Sequence, residues 1–270
     1  MKVAAYQTPL AACGSMEVLG LIREQVRRCE SAGVEILCCP EAVLGGLADY
    51  SPRPAEIAID AEGGQLGEVL APLASDTVAT IVGFTEIDRM GCLFNSAAVL
   101  SRGTVVGVYR KLYPAINHSV YHAGDAMPVF TVAGLTFGII ICLDSRYPEP
   151  ARIMAGRGAT ALFVPSNNGL PPGKGGPGLA AEARNVDIAH AIENSVSVIR
   201  ADVVGRAAGL TAYGSSGIVD PDGRVLASAM GGDLVIAQIE TAPRQRRRGW
   251  NAATNPGVSD EYLRVVTGSR

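Results

Sequence analysis

Three side chains of complementary chemistry stand at equivalent places in this sequence. The apolar run Val34-Glu35-Ile36-Leu37-Cys38-Cys39 leads into Pro40-Glu41, the run from Val105 to Arg110 leads into Lys111, and the run from Phe137 to Ile141 leads into Cys142. Ligands of open α/β sheets bind outside the carboxyl ends of the strands, so a carboxylate, an amine and a thiol at three strand ends can meet in one cleft. There the thiol would serve as nucleophile. A neighbouring ammonium lowers a thiol's pKa and holds an oxyanion, and a carboxylate takes up and delivers the protons of acyl transfer. Singly, each residue has an ordinary role: Cys142 as a small buried hydrophobe, Glu41 as a solvated loop carboxylate, Lys111 as a surface cation beside Arg110.

The elements that must position them alternate along the chain. Apolar spacing predicts strands at 3–6, 34–39, 77–86, 92–100, 104–110, 129–132 and 135–141, and later at 161–164, 196–203, 214–219, 225–228 and 234–239. Helices are expected at 16–32, with Ser15 as N-cap and Gly33 as stop, and at 66–75, 148–157 and 179–194. Asp220-Pro221-Asp222-Gly223 marks a tight turn. Neither a short repeat nor a linker divides the chain, which reads as one α/β domain with mixed sheets.

The surroundings of the three residues add a specific pattern. CLDSRYPEPAR from Cys142, PEAVLGG around Glu41 and YRKLYP around Lys111 resemble the nucleophile, general-base and lysine motifs of the nitrilase (carbon–nitrogen hydrolase) superfamily. FNSAAVL, the AGD at Ala123 to Asp125, the PSNN at Pro165 to Asn168, IEN at Ile192 to Asn194 and GIVDPDGRVLA match further motifs in the family's order, over nearly the whole chain. The resemblance implies a four-layer αββα sandwich spanning residues 1–270, with a C-terminal tail from about 241, and pairing through outer helices into a homodimer or higher homo-oligomer. It implies small amide, nitrile or N-carbamoyl-amine substrates and no cofactor. Carried onto this chain, Cys142 attacks the carbonyl or nitrile carbon, Lys111 and the backbone N–H of Leu143 hold the oxyanion, and Glu41 moves the protons. Asn167 and Asn168, at a strand end, are expected to line the substrate site. Asp144 and Arg146 are expected to pair and support the Cys142 loop, and Pro171 to Gly178 to form a pocket lid.

The chain departs from the family's pattern in three places. Many members carry a second glutamate between the lysine and the cysteine, whereas Ala115 to Ser119 contains no acid and Asn117 or His118 takes that position, expected to face the cleft near Lys111. His190 replaces a common arginine, and Asp202 stands where asparagine is usual. A Cys–His thiol hydrolase would instead need His118, His122 or His190 beside Cys142.

Composition narrows the remaining classes. With 48% hydrophobic and 18% charged residues the chain can build a large core, and a net charge of −3 gives no global attraction to nucleic acid or anionic lipid. The basic run Arg244 to Arg248 lacks an accompanying aromatic ladder and reads as a solvated tail. The six cysteines contain no CxxC pair, and no Cys/His cluster has zinc spacing, so no metal is expected. No apolar run approaches the roughly 18–20 residues of a membrane span. Reduced thiols and a cytoplasmic location are expected. The leading expectation is hydrolysis of a small amide; a catalytically weak binding protein on the same scaffold is the alternative from another class.

Overall fold

The computed structural model describes residues 1–229 and 233–243. The basic run at 244–248, and the expected tail beyond 243, lie outside the described residues.

Two sheets are stacked face to face. The larger runs in the order Leu234–Gln238, Lys2–Tyr6, Ile36–Cys38, Ala79–Ile87, Leu93–Ser101, Thr104–Arg110, with the short strands Ile59–Asp60 and Tyr121–His122 attached. The smaller runs Val225–Ser228, Gly217–Val219, Ser197–Ala201, Ala161–Pro165, Leu135–Ile139, Val129–Val132. Parallel pairs form the centre of each sheet and antiparallel pairs its edges. Ile36, Ile81, Val99 and Tyr109 of the first sheet share a buried core with Phe137, Ile139, Phe163 and Ile199 of the second. Strand alternation turns Leu37 and Val82 to the opposite face, where Ile22 and Val26 of α1 (Val18–Ala32) and Leu66 and Leu70 of α2 (Gln65–Leu70) cover them. The helices α3 (Pro148–Gly156) and α4 (Gly178–Asn194) close the far side of the second sheet through Ala151, Met154 and Ala191. The result is the expected four-layer αββα sandwich with mixed sheets.

Local chemistry shifts several boundaries. Gly33 ends α1 as expected, at φ +68°, but the helix begins at Val18, and Ser15 Oγ only accepts the Glu17 N–H at 3.4 Å. The run expected as one helix at 66–75 breaks after Leu70 into a 3-10 turn, Ala71–Leu73, because Pro72 offers no N–H. The run 196–203 divides at Asp202, whose own carboxylate takes the Val203 N–H at 2.8 Å. Past that point the chain leaves the second sheet and pairs, as Val203–Ala207, with Thr8–Pro9 and Leu210–Tyr213.

Close backbone approach fixes the turn that carries Glu41. A Cβ on Gly83 would lie 2.3 Å from the Pro40 oxygen and 2.5 Å from the Ala42 nitrogen, and the Gly83 oxygen accepts the Leu44 N–H at 3.1 Å. Only glycine lets residues 40–42 lie against this strand. Gly83→Ala is therefore expected to displace the turn and lower unfolding free energy by about 1–3 kcal/mol, the usual range for overpacking. Chemical denaturation checks it; an unchanged midpoint would mean that the turn yields freely.

Candidate active site

The strand Ile36–Cys38 delivers Glu41, and Thr104–Arg110 delivers Lys111, at the same end of the first sheet, since the two strands run in the same direction. Their side chains, each 2% exposed, form an ion pair with Lys111 Nζ 2.5 Å from Glu41 Oε1. Asn95, on Leu93–Ser101, donates to the same oxygen through Nδ2 at 2.7 Å. The second oxygen, Oε2, accepts the Asn167 backbone N–H at 2.9 Å, and Asn167 Nδ2 reaches the Glu41 carbonyl oxygen at 3.3 Å. Asn167 follows a strand of the second sheet, so Glu41 joins the two sheets at their seam.

Cys142 enters from the second sheet, just past Leu135–Ile139. It opens a 3-10 segment, Cys142–Arg146, and its φ of +46° places a non-glycine residue in the left-handed region. Several bonds hold that conformation. Asp144, fully buried, accepts from the Ile141 N–H at 3.0 Å, the Tyr113 N–H at 2.9 Å and the Tyr109 hydroxyl at 2.8 Å. Ser145 Oγ donates to the Cys142 carbonyl oxygen at 2.6 Å. Below the loop, Arg200 pairs with Asp187 and donates to Ser145 Oγ at 3.1 Å and Ser166 Oγ at 2.6 Å. Leu143 lies in the first turn of the segment, where leading N–H groups have no intrahelical acceptor.

These groups line one cavity of about 170 Å³. Glu41, Lys111, Asn95, Cys142, Asn167 and Asn168 form its polar end; Leu47, Ile116, Leu170, Leu179 and Val186 form apolar walls. Leu170 and Leu179 flank the loop 171–178.

The electrostatics of the Cys142 thiol differ from the sequence expectation. Burial, then the Glu41 carboxylate, push the Cys142 thiol up to about 12, against the opposing pull of Lys111 and Arg200. The ammonium alone does not make a thiolate here, because its charge is already matched by Glu41. Burial by itself would lower the Lys111 pKa, but Glu41 and the other acidic groups around it leave it raised. Burial likewise raises Asp144, to about 6, against Lys111 and its three hydrogen-bond donors.

Not every expected residue reaches the site. Asn117 and His118 are exposed, and Ala115 and Ile116 line the cavity in their stead. The cause is local: the Ser119 N–H closes a turn onto the Ile116 oxygen at 3.0 Å, and His118 adopts φ +59°. Asp49 anchors the segment by accepting from Ser119 Oγ and the Val120 N–H, each at 2.9 Å. Asp144 and Arg146 do not pair, since Arg146 binds Glu182 at 2.7 Å. His118 and His122 are exposed, and buried His190 bonds the Ser145 oxygen at 2.6 Å, so no histidine lines the cavity. The site also includes Asn95 and Arg200, which are not among the residues expected there. Their signal in the sequence is a large polar side chain within a mostly apolar strand, which burial obliges to find a partner.

The chain belongs to the carbon–nitrogen hydrolase family, whose profile matches residues 2–248. It is 30% identical over 221 residues to a nitrilase of Pyrococcus abyssi, covering 80% of each chain. It is 31% identical over 209 residues to an (R)-stereoselective amidase of Pseudomonas sp., covering 76% of this chain and 72% of that one. The fold matches the crystal structure of Saccharomyces cerevisiae Nit3, a member of branch 10 of the nitrilase superfamily, with a TM-score of 0.77 and 20% identity over 100% of this chain and 95% of that one.

A neutral resting thiol has a direct signature. The thiolate ultraviolet absorbance of the parent minus that of Cys142→Ala is expected to show no ionisation below pH 9, the ordinary thiol value. A titration completed near neutrality would show instead that the cations outweigh burial and Glu41.

Proposed function

We propose that the protein hydrolyses the non-peptide C–N bond of a small amide through a thioester on Cys142. The observation that carries this reading is the meeting of Cys142 with the buried Glu41–Lys111 pair in one small cavity. A neutral thiol needs a base at the moment of attack, and Glu41 is the carboxylate at hand. As sulfur bonds to the carbonyl carbon, the thiol proton passes to Glu41 and the carbonyl electrons move onto oxygen. Lys111 and the Leu143 N–H stabilise that oxyanion. Its collapse breaks the C–N bond, and the proton held by Glu41 leaves with the nitrogen as ammonia or an amine. Water then adds to the thioester, giving a proton to Glu41; the second collapse releases the acid, and Glu41 returns the proton to sulfur.

The cavity supports a small substrate. Its volume of about 170 Å³ and its walls of Leu47, Ile116, Leu170 and Val186 suit a short apolar acyl group beside the polar end. A panel of primary amides, nitriles and N-carbamoyl amines, read by ammonia release, tests the class: short-chain amides are expected to be the best substrates, and turnover confined to nitriles would overturn the reading. Cys142→Ala should abolish turnover with the fold intact. Lys111→Met should lower kcat by about 10²–10³ with a much smaller change in KM, as expected for a group that acts on the developing oxyanion. A defect confined to KM would make Lys111 a substrate-binding residue.

A further inference from the structure

We propose that Asn168 recognises the N–H₂ group of the substrate amide, and that the buried carboxylate of Asp202 fixes Asn168 in the one orientation able to do so. The proposal rests on the amide-hydrolase reading above and names the group that selects amides.

The two asparagines after the strand Ala161–Pro165 are employed differently. Asn167 spends its side chain inside the protein: Nδ2 donates to the Glu41 oxygen at 3.3 Å, and Oδ1 accepts the Gly169 N–H at 3.1 Å. Asn168 donates twice to one carboxylate, from its backbone N–H to Asp202 Oδ1 at 3.0 Å and from Nδ2 to Asp202 Oδ2 at 2.8 Å. Its side-chain oxygen, Oδ1, lies 3.9 Å from Cys142 Sγ and accepts from the thiol.

A side-chain amide has two orientations related by a flip, and its neighbours decide between them. Both oxygens of Asp202 accept from neighbouring donors, Oδ1 from the Val203 N–H and Oδ2 from the Ser215 hydroxyl, so an amide set against them presents Nδ2 and leaves Oδ1 to the cavity. Asp202 is itself immobilised: it is 1% exposed, accepts the Ser215 hydroxyl at 2.6 Å and the Val203 N–H at 2.8 Å, and donates its own N–H to Ser216 Oγ at 2.9 Å. An asparagine at this position could present either oxygen or nitrogen and would leave the flip open. Asp202 removes that freedom.

The fixed oxygen complements the rest of the site. Lys111 and the Leu143 N–H are donors suited to the substrate oxygen, and the Glu41 carboxylate is already met by Asn95, Lys111 and Asn167. An amide also carries N–H groups that need an acceptor when desolvated beside the sulfur. Asn168 Oδ1 supplies it, taking the Cys142 S–H at rest and the substrate N–H on binding. An ester or a nitrile has no such hydrogen to offer, so the acceptor gains it nothing.

The test compares kcat/KM for a primary amide and an ester of the same acyl group in the parent, Asn168→Ala and Asp202→Asn. Leaving one buried polar group unpaired costs enough to reduce the amide-to-ester ratio roughly 10- to 100-fold in Asn168→Ala. A smaller fall, expressed mainly as a higher KM for the amide, is expected in Asp202→Asn. Circular dichroism and thermal melting establish that each variant is folded. Equal losses on both substrates would overturn the proposal while leaving the amide-hydrolase reading intact. A parent that cleaves the ester but no amide would instead remove the reading, and this proposal with it. Should Asp202→Asn fail to fold, the ratio in Asn168→Ala decides alone.

Discussion

The interaction on which the site depends is the ion pair between Glu41 and Lys111, buried where the two sheets meet. Removing two charges from water costs several kcal/mol per ion, and attraction offsets that only when the remaining lone pairs are also satisfied. The neighbouring architecture does this for the carboxylate. Asn95 Nδ2 and the Asn167 N–H fill it, the backbone N–H of Lys111 donates to the backbone carbonyl of Asn95 at 2.8 Å and holds the two strands in register, and the absent side chain at Gly83 lets the Glu41 turn settle against its strand. Because Asn167 follows a strand of the opposite sheet, its bond to Glu41 ties the two sheets together beside Cys142.

A matched pair has a consequence for the thiol. Burial, and then the Glu41 carboxylate that cancels much of the field of Lys111, push the Cys142 thiol up to about 12. The positive φ at Cys142 is held from below by a second buried ion pair, Arg200 with Asp187, acting through Ser145. Arg200 brings a guanidinium to this loop from the strand Ser197–Ala201, and His190 of α4 bonds the Ser145 carbonyl oxygen.

The sequence displayed the parts of this arrangement that follow from strand periodicity. Apolar runs ending at Glu41, Lys111 and Cys142 located three strand ends, and parallel strands in each sheet bring those ends together. It could not show which face of a strand buried on both sides turns inward, and so Asn95 and Arg200 were hidden among apolar neighbours. Nor could it show that Asp202 bends the chain out of the second sheet. Loop conformation is least legible: the family resemblance puts Asn117 and His118 near the cleft, but a turn closed by Ser119 and anchored on Asp49 presents Ala115 and Ile116 instead. Arg146 and Asp144 failed to pair for a related reason, since Asp144 is consumed by three donors that only the folded chain assembles.

The central claim is that Glu41 and Lys111 form one coupled unit, and a double-mutant cycle on folding stability tests it most directly. Glu41→Gln and Lys111→Met each leave a buried charge without its partner and are predicted to cost about 3–5 kcal/mol. The double variant leaves no such charge, so it should be no less stable than the weaker single variant, and the cycle should return a large coupling energy. Small losses that simply add would show that the two residues act independently, and would contradict the account.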